Sequence, residues 1–349
     1  MRMTKPELFN KKSKSELKKI LEKENYERLT CSFYRYVRIN KPKYLRNQLY
    51  TEFKDLDILG RIYIAKEGIN AQISVPKNNW DKFVNQLQSK DEFNNMEFRI
   101  ALESKNDSFI KLIIKVKTQI VADGLQDNEY DLSNIGNYLS AREFNRSMDQ
   151  EDTILVDVRN QYESEVGHFE GAICPDVDTF KDSLPIIKKI LKGRENDKIL
   201  LYCTGGIRCE KTSAYLKHHK FQNVNQLKGG IISYAHEVKS DNIKSKFVGK
   251  NFVFDNRMGE RITNDVISKC HQCNESSDRH TNCKNQSCHI LFIQCQKCNE
   301  KFQGCCSFEC ADIANLPIEK QRILRKNNKL KKDTFKNRLR PKIKTVNKN

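Results

Sequence analysis

The sequence lacks any long hydrophobic run. Its 349 residues have a mean hydropathy of −0.73, and its apolar runs are as short as Ile199–Tyr202. A membrane-spanning helix needs about 20 predominantly apolar residues, so no membrane partner is expected. The stretch from Met1 to Asn25 is polar and Lys-rich, without the apolar segment of a signal peptide. The expectation is a soluble, cytoplasmic protein. No internal repeat is evident, and without a secretion signal the 13 cysteines do not read as a disulfide framework. The sequence also shows no clear flavin fingerprint and no two-His, one-carboxylate iron arrangement.

What is present is charge. Charged residues make up 31% and hydrophobic residues 38%, enough for a packed core under a highly charged surface. The length suggests two or three domains. Net charge is +18 with a pI near 9.3. From Leu316 to Asn349 there are 13 Lys/Arg against Glu319 and Asp333, a net of +11, leaving only +7 for the rest. A basic block of this kind attracts polyanions, nucleic acid above all; the blander reading is a solubilising tail.

Patterning divides the chain. Cys31 to Ile39 alternates apolar and polar residues, as do Ile58 to Ala65 and Ile69 to Val75 after a turn at Glu67-Gly68. Helical spacing marks Lys43 to Leu56 and the set Trp80, Phe83, Val84 and Leu87; Phe98–Leu102 and Ile110–Val116 read as further strands. The order β-α-β-β-α-β suggests a ferredoxin-like α+β domain over residues 28–125, preceded by a helical extension over 1–27. Ile154 to Val158 and Ile199 to Tyr202 are short apolar runs typical of buried parallel strands. Thr212 to His219 reads as a helix, and Asn223 to Leu227 as another strand ending at Gly229-Gly230. Residues 135–242 thus read as an α/β domain with a parallel sheet, followed by a Cys-rich module over 250–312 and a basic tail over 313–349.

The chemistry-bearing motif is Cys203-Thr-Gly-Gly-Ile-Arg208, at the carboxyl end of one strand and the start of a helix. Open α/β sheets place their ligand sites there. Gly205 and Gly206 let backbone N–H groups turn toward one point, the helix N-terminus adds its dipole, and Arg208 adds a cation. All three favour a Cys203 thiolate. The plain alternative is a structural cysteine before a helix. Cys209 reads either as a resolving thiol for an oxidised Cys203 or as a small buried hydrophobe. Cys31 and Cys174 read as core thiols. Four residues intervene between Cys203 and Arg208, too few for the longer loop that holds phosphate in dual-specificity phosphatases.

Nine cysteines fall between Cys270 and Cys310. The Cys270-x-x-Cys273 and Cys295-x-x-Cys298 pairs are zinc-knuckle-like, with Cys283, Cys288, Cys306 and Cys310 as further ligands. The count allows one or two structural zinc sites with one cysteine to spare; reduced or redox-active thiols are the alternative. His271, His280 and His289 are additional candidates, each reading more simply as solvated or structural.

Asp157-Val-Arg-Asn-x-Tyr-Glu163, Gly167-His-Phe-Glu-Gly-Ala-Ile173 and the Cys203 loop resemble the successive signatures of rhodanese domains. That resemblance implies a persulfide-forming Cys203, an architectural Asp157 and Arg159, and a structural rather than basic role for His168. Leu201 to Lys211, Gln226 to Ile232, Glu67 to Pro76, Val121 to Leu125 and the Cys-His-Gln-Cys273 stretch together resemble the bacterial tRNA uridine(34) hydroxylase family across roughly residues 30–310. The resemblance implies oxygen-dependent 5-hydroxylation of wobble uridine, with molecular oxygen as co-substrate, Cys203 as the active residue and the tRNA anticodon region as partner. Phe33, Tyr34 and Tyr36 are candidates for stacking on unpaired bases, against ordinary core packing. A sulfurtransferase carrying a persulfide on Cys203 is the alternative, and a non-catalytic RNA-binding protein the third reading. Oligomeric state is not legible.

Overall fold

The computed structural model describes residues 8–126 and 128–327; most of the basic tail lies outside them. The helix α1 (Lys14–Leu21) starts at a capping box in which Ser13 and Glu16 satisfy each other's backbone N–H groups. Then follow β1 (Arg28–Tyr36), α2 (Pro42–Asp55), β2 (Leu59–Ala65), β3 (Gly68–Pro76), α3 (Trp80–Gln88), β4 (Arg99–Ile100) and β5 (Leu112–Val116). The sheet order is β4-β1-β3-β2-β5. The first four strands pair antiparallel in the ferredoxin-like arrangement, and β5 adds a parallel edge strand beside β2.

Period-two alternation gives this sheet two different faces. Phe33, Ile62, Ile64, Ile69, Ala71 and Ile73 point one way and pack with Leu49 and Phe53 of α2 and Phe83 and Leu87 of α3. Each large apolar side chain fully buried there contributes about 1.5–3 kcal/mol. Ser32, Tyr34, Arg61, Tyr63, Asn70 and Gln72 point the other way, toward the second domain.

That domain runs through β6 (Asn137–Leu139), α4 (Ala141–Met148), β7 (Thr153–Asp157), α5 (Gln161–Ser164), β8 (Gly167–Phe169), α6 (Phe180–Ile190), β9 (Lys198–Tyr202), α7 (Ile207–His218), β10 (Asn223–Leu227) and α8 (Gly230–Ser240). Its sheet is parallel, in the order β6-β10-β9-β7. Leu200 and Tyr202 fill one core, Ile199, Leu201 and Cys203 the other, so β9 is buried on both faces. Helix α7 begins five residues before the Thr212 start read from sequence. Its first turn lies where the glycine loop placed a helix start, and there Arg208, Cys209 and Lys211 are all buried although two of them are cations.

Beyond α8, β11 (Phe247–Asn251) pairs with β8 and with β12 (Glu260–Arg261). A hairpin of β13 (His280–Asn282) and β14 (Leu291–Ile293) then leads into α9 (Gln296–Lys301), α10 (Phe308–Asn315) and α11 (Ile318–Asn327). Among the described residues no helix is long and apolar enough to cross a membrane.

Candidate functional site

Cys203 leaves the carboxyl end of β9 fully buried at the floor of a cavity of about 830 Å³. Strand β9 brings it there, and the loop turns back at once into α7. The turn needs Gly206, whose φ of 101° is left-handed. A side chain there would also strike the Tyr34 hydroxyl at 2.7 Å. The Gly206 N–H points at Cys203 Sγ, 3.1 Å away. The loop carbonyls are held outward by the start of α8: the N–H groups of Ile231 and Ile232 donate to Cys203 and Thr204 at 3.0 and 3.2 Å. Gly230 allows this approach, since a Cβ on it would lie 2.5 Å from the Cys203 carbonyl.

Burial pushes the Cys203 thiol up, but the opposing effects win. A hydrogen bond from the Cys209 thiol, the Arg208 charge and the Cys209 and Gly206 amides bring it down to about 5. The site therefore holds a thiolate at neutral pH. Cys209 is its complement: burial, its bond to Cys203 and the charge on Cys203 hold it protonated. Cys209 packs fully buried in the same core cluster as Cys203.

Arg208 acts on Cys203 by charge, while it donates to Glu163 at 2.6 and 2.8 Å and to the Thr204 hydroxyl at 3.3 Å. Glu163 is fully buried and also accepts the Asn160 N–H at 3.0 Å. Sequence reasoning did not single Glu163 out; the Asn160-x-x-Glu163 capping pattern at α5 was the available signal. Gly205 lies beside Arg99, whose Cδ would stand 3.7 Å from a side chain at that position. Asp157 and Arg159 form a buried ion pair that also holds the Gly167 carbonyl. The His168 ring bonds the Ser164 carbonyl at 2.9 Å, away from the cavity.

The opposite wall is the polar face of the first sheet. Phe33 is not on it: the ring is buried against Phe83 and Phe98, so its base-stacking candidacy is corrected. Tyr34 and Tyr36 lie on the correct face but reach across to α7. The Tyr34 hydroxyl donates to Glu210 at 2.7 Å, and that of Tyr36 to the Ile207 carbonyl at 3.2 Å. Lys211 of α7 is fully buried between Glu67 at 2.7 Å and Asp123 at 3.3 Å.

The C-terminal cysteines gather into two sets, Cys270, Cys273, Cys295 and Cys298, and Cys283, Cys288, Cys306 and Cys310. Within each, all four sulfurs lie within 4.8 Å of one another. Measured separations of 3.6 Å for Cys273–Cys295, 3.7 Å for Cys288–Cys306 and 3.6 Å for Cys306–Cys310 match the edge of about 3.8 Å expected for four sulfurs around zinc. Both sets could hold a metal ion. Cys305 is the spare, fully buried, its carbonyl accepting from Gln272 and Gln294. His271 bonds Glu165 and His280 the Tyr162 carbonyl, and none of the three histidines joins either set.

Comparison with known proteins adds three family matches. Residues 28–120 match the UPF0176 acylphosphatase like domain, 140–237 the rhodanese-like domain and 248–311 the rhodanase C-terminal family. The chain is 56% identical to a tRNA uridine(34) hydroxylase of Leptospira interrogans over 96% of this chain and 92% of that one. It is 50% identical to proteins of the same name from Photorhabdus laumondii and Escherichia fergusonii, over 92% of this chain and 91% and 92% of theirs.

Proposed function

The chain belongs to the tRNA uridine(34) hydroxylase family, and from that premise we propose that it inserts oxygen at C5 of wobble uridine in the anticodon of tRNA, with Cys203 as nucleophile. The observation that carries the reading is the identity of 50% or more along nearly the whole chain to enzymes named for this reaction.

The site supports a role for Cys203 as follows. Uracil is electrophilic at C6. Addition of a thiolate there moves electron density onto C5 and O4, making C5 the carbon that meets molecular oxygen. A thiol ionised near pH 5 is in the reactive form throughout the neutral range. One oxygen atom enters the C5–H bond, the other leaves as water, and a reductant such as a dithiol supplies two electrons and two protons. The cavity between the two domains encloses the base, and the basic chain holds the phosphates around it. Acting on tRNA implies work in the cytoplasm. The two sets of four cysteines would each hold a structural zinc ion, which supplies folding energy to the C-terminal region and no chemistry to Cys203.

The test is purified protein with unmodified tRNA under isotopically heavy oxygen gas, followed by nucleoside mass spectrometry of position 34. Heavy oxygen in the uridine is expected. A sulfur-for-oxygen exchange has the same nominal mass change but carries no heavy label, and would establish the sulfurtransferase reading instead. The Gly206 amide on Sγ favours that second reading to the extent that it would cradle a persulfide as well as a thiolate.

A further inference from the structure

One cation in the cavity has donors with no acceptor among the described residues. Arg99 sits on β4, at the edge of the first sheet, and lines the same cavity as Cys203. It is only 9% exposed, yet its Nε and Nη1 are buried without a hydrogen-bond partner. The remaining nitrogen, Nη2, has a loose 3.8 Å contact with Glu97, which is itself largely in solvent. Leaving a buried donor unsatisfied is costly, more so when it is charged. A protein that keeps one beside a reactive thiolate has a use for it.

The surroundings fix where the guanidinium lies. It stacks on the Tyr34 ring, 4.6 Å from the centroid, and Glu210 anchors that ring through its hydroxyl. Its side chain crosses the Cys203 loop beside Gly205 and Gly229: a Cβ on Gly229 would stand 3.7 Å from Arg99 Nε. The first domain thus extends a preorganised cation over the loop that carries the thiolate of the second.

We propose that Arg99 is the docking cation for the target nucleotide, with Nε or Nη1 donating to an anionic oxygen of the uridine held against Cys203. This rests on the hydroxylase reading above. The anionic oxygen has two possible sources. One is the phosphate of the inserted nucleotide. The other is O4 of the adduct: as the Cys203 lone pair forms the S–C6 bond, the C5–C6 π pair moves to C4–C5 and the C4–O4 π pair to O4. Both present an oxyanion to an unpaired guanidinium N–H donor.

The experiment compares Arg99→Gln, Arg99→Lys and Arg99→Ala with wild type, reading kcat and KM for tRNA hydroxylation, their salt dependence and thermal melting. If phosphate is the source, KM rises about tenfold in R99Q with kcat held, and the salt slope shrinks by about one. If O4 is the source, kcat falls about 10²-fold with KM held. Should R99Q melt lower, millimolar guanidinium added to R99A decides: restored turnover supports docking, and no restoration overturns it in favour of a packing role on Tyr34. A folded R99Q with wild-type kcat and KM overturns the proposal outright. A wild-type protein that fails to hydroxylate uridine 34 instead overturns the reading on which it rests.

Discussion

The loop of Cys203 and the C-terminal cysteine sets use the same side chain under opposite electrostatic conditions. At Cys203 one sulfur meets several donors: the Gly206 amide, the Cys209 thiol and the Arg208 charge. In each C-terminal set four sulfurs meet one another, with separations near 3.6 Å. Four thiolates at that distance repel strongly unless a multivalent cation sits among them. A sulfur surrounded by protein donors is free to react with something else. A sulfur whose charge can be met only by an ion is committed to that ion. Reactivity thus follows from what neutralises the thiolate, more than from exposure, since Cys203 is buried as deeply as Cys283.

The largest expected break of this contrast is Cys203→Ala. Hydroxylation should fall by about 10³-fold or more, while metal content stays as in wild type. Nucleoside mass spectrometry and elemental analysis read the two halves, and turnover at the normal rate would remove Cys203 from the chemistry. Cys298→Ser should do the reverse. One metal ion per chain is lost of an expected two, and the C-terminal region loses several kcal/mol of folding energy. Elemental analysis of reduced wild-type protein giving no zinc would reject both sites.

A smaller effect tests the cation beside the loop. Glu163→Gln leaves the Arg208 guanidinium buried without its counter-charge, at a cost of about 3 kcal/mol read by denaturant unfolding. An unchanged midpoint would mean that Arg208 finds another partner. The subtlest prediction concerns pH. The Cys203 thiol becomes more acidic on folding, so its contribution to stability is full above the free thiol value and is lost as pH falls through about 5. Single-turnover hydroxylation should lose rate along an acid limb near the same pH. In Cys209→Ala the limb moves upward because a donor to the thiolate is gone. The rate at pH 6 then falls several-fold while the rate at pH 8 changes little. An unmoved limb would show that the Cys209 thiol does not set the acidity.

Much of this was legible in the chain. The strand Asn223–Leu227 has the bounds read from the sequence. The loop from Cys203 to Arg208 announces itself through two glycines and an arginine between a strand and a helix. The ferredoxin-like order follows from the switch between two-residue and helical periods, although β5 adds an edge strand to it. What stayed illegible depends on partners far away in sequence. Lys211 looks like a solvent-facing cation until Glu67 and Asp123 are seen beside it, and nothing local shows that Arg208 pairs with Glu163. Arg99 is one basic residue among 63 until its burial beside Tyr34 is known. The sequence could count the clustered cysteines but not sort them. The sorting is interleaved: Cys270 and Cys273 belong with Cys295 and Cys298, skipping over Cys283 and Cys288.

Lys211 has a consequence for biosynthesis. Its buried ammonium is matched by Glu67 and Asp123, both of which precede it in the chain. During translation the two carboxylates emerge before α7 does, already carried on the first domain and the segment that follows it. The later helix closes onto a counter-charge that is waiting for it. A fragment beginning near residue 135 would have to bury the same cation alone, so the catalytic half is expected to fold poorly when expressed without the segment that precedes it.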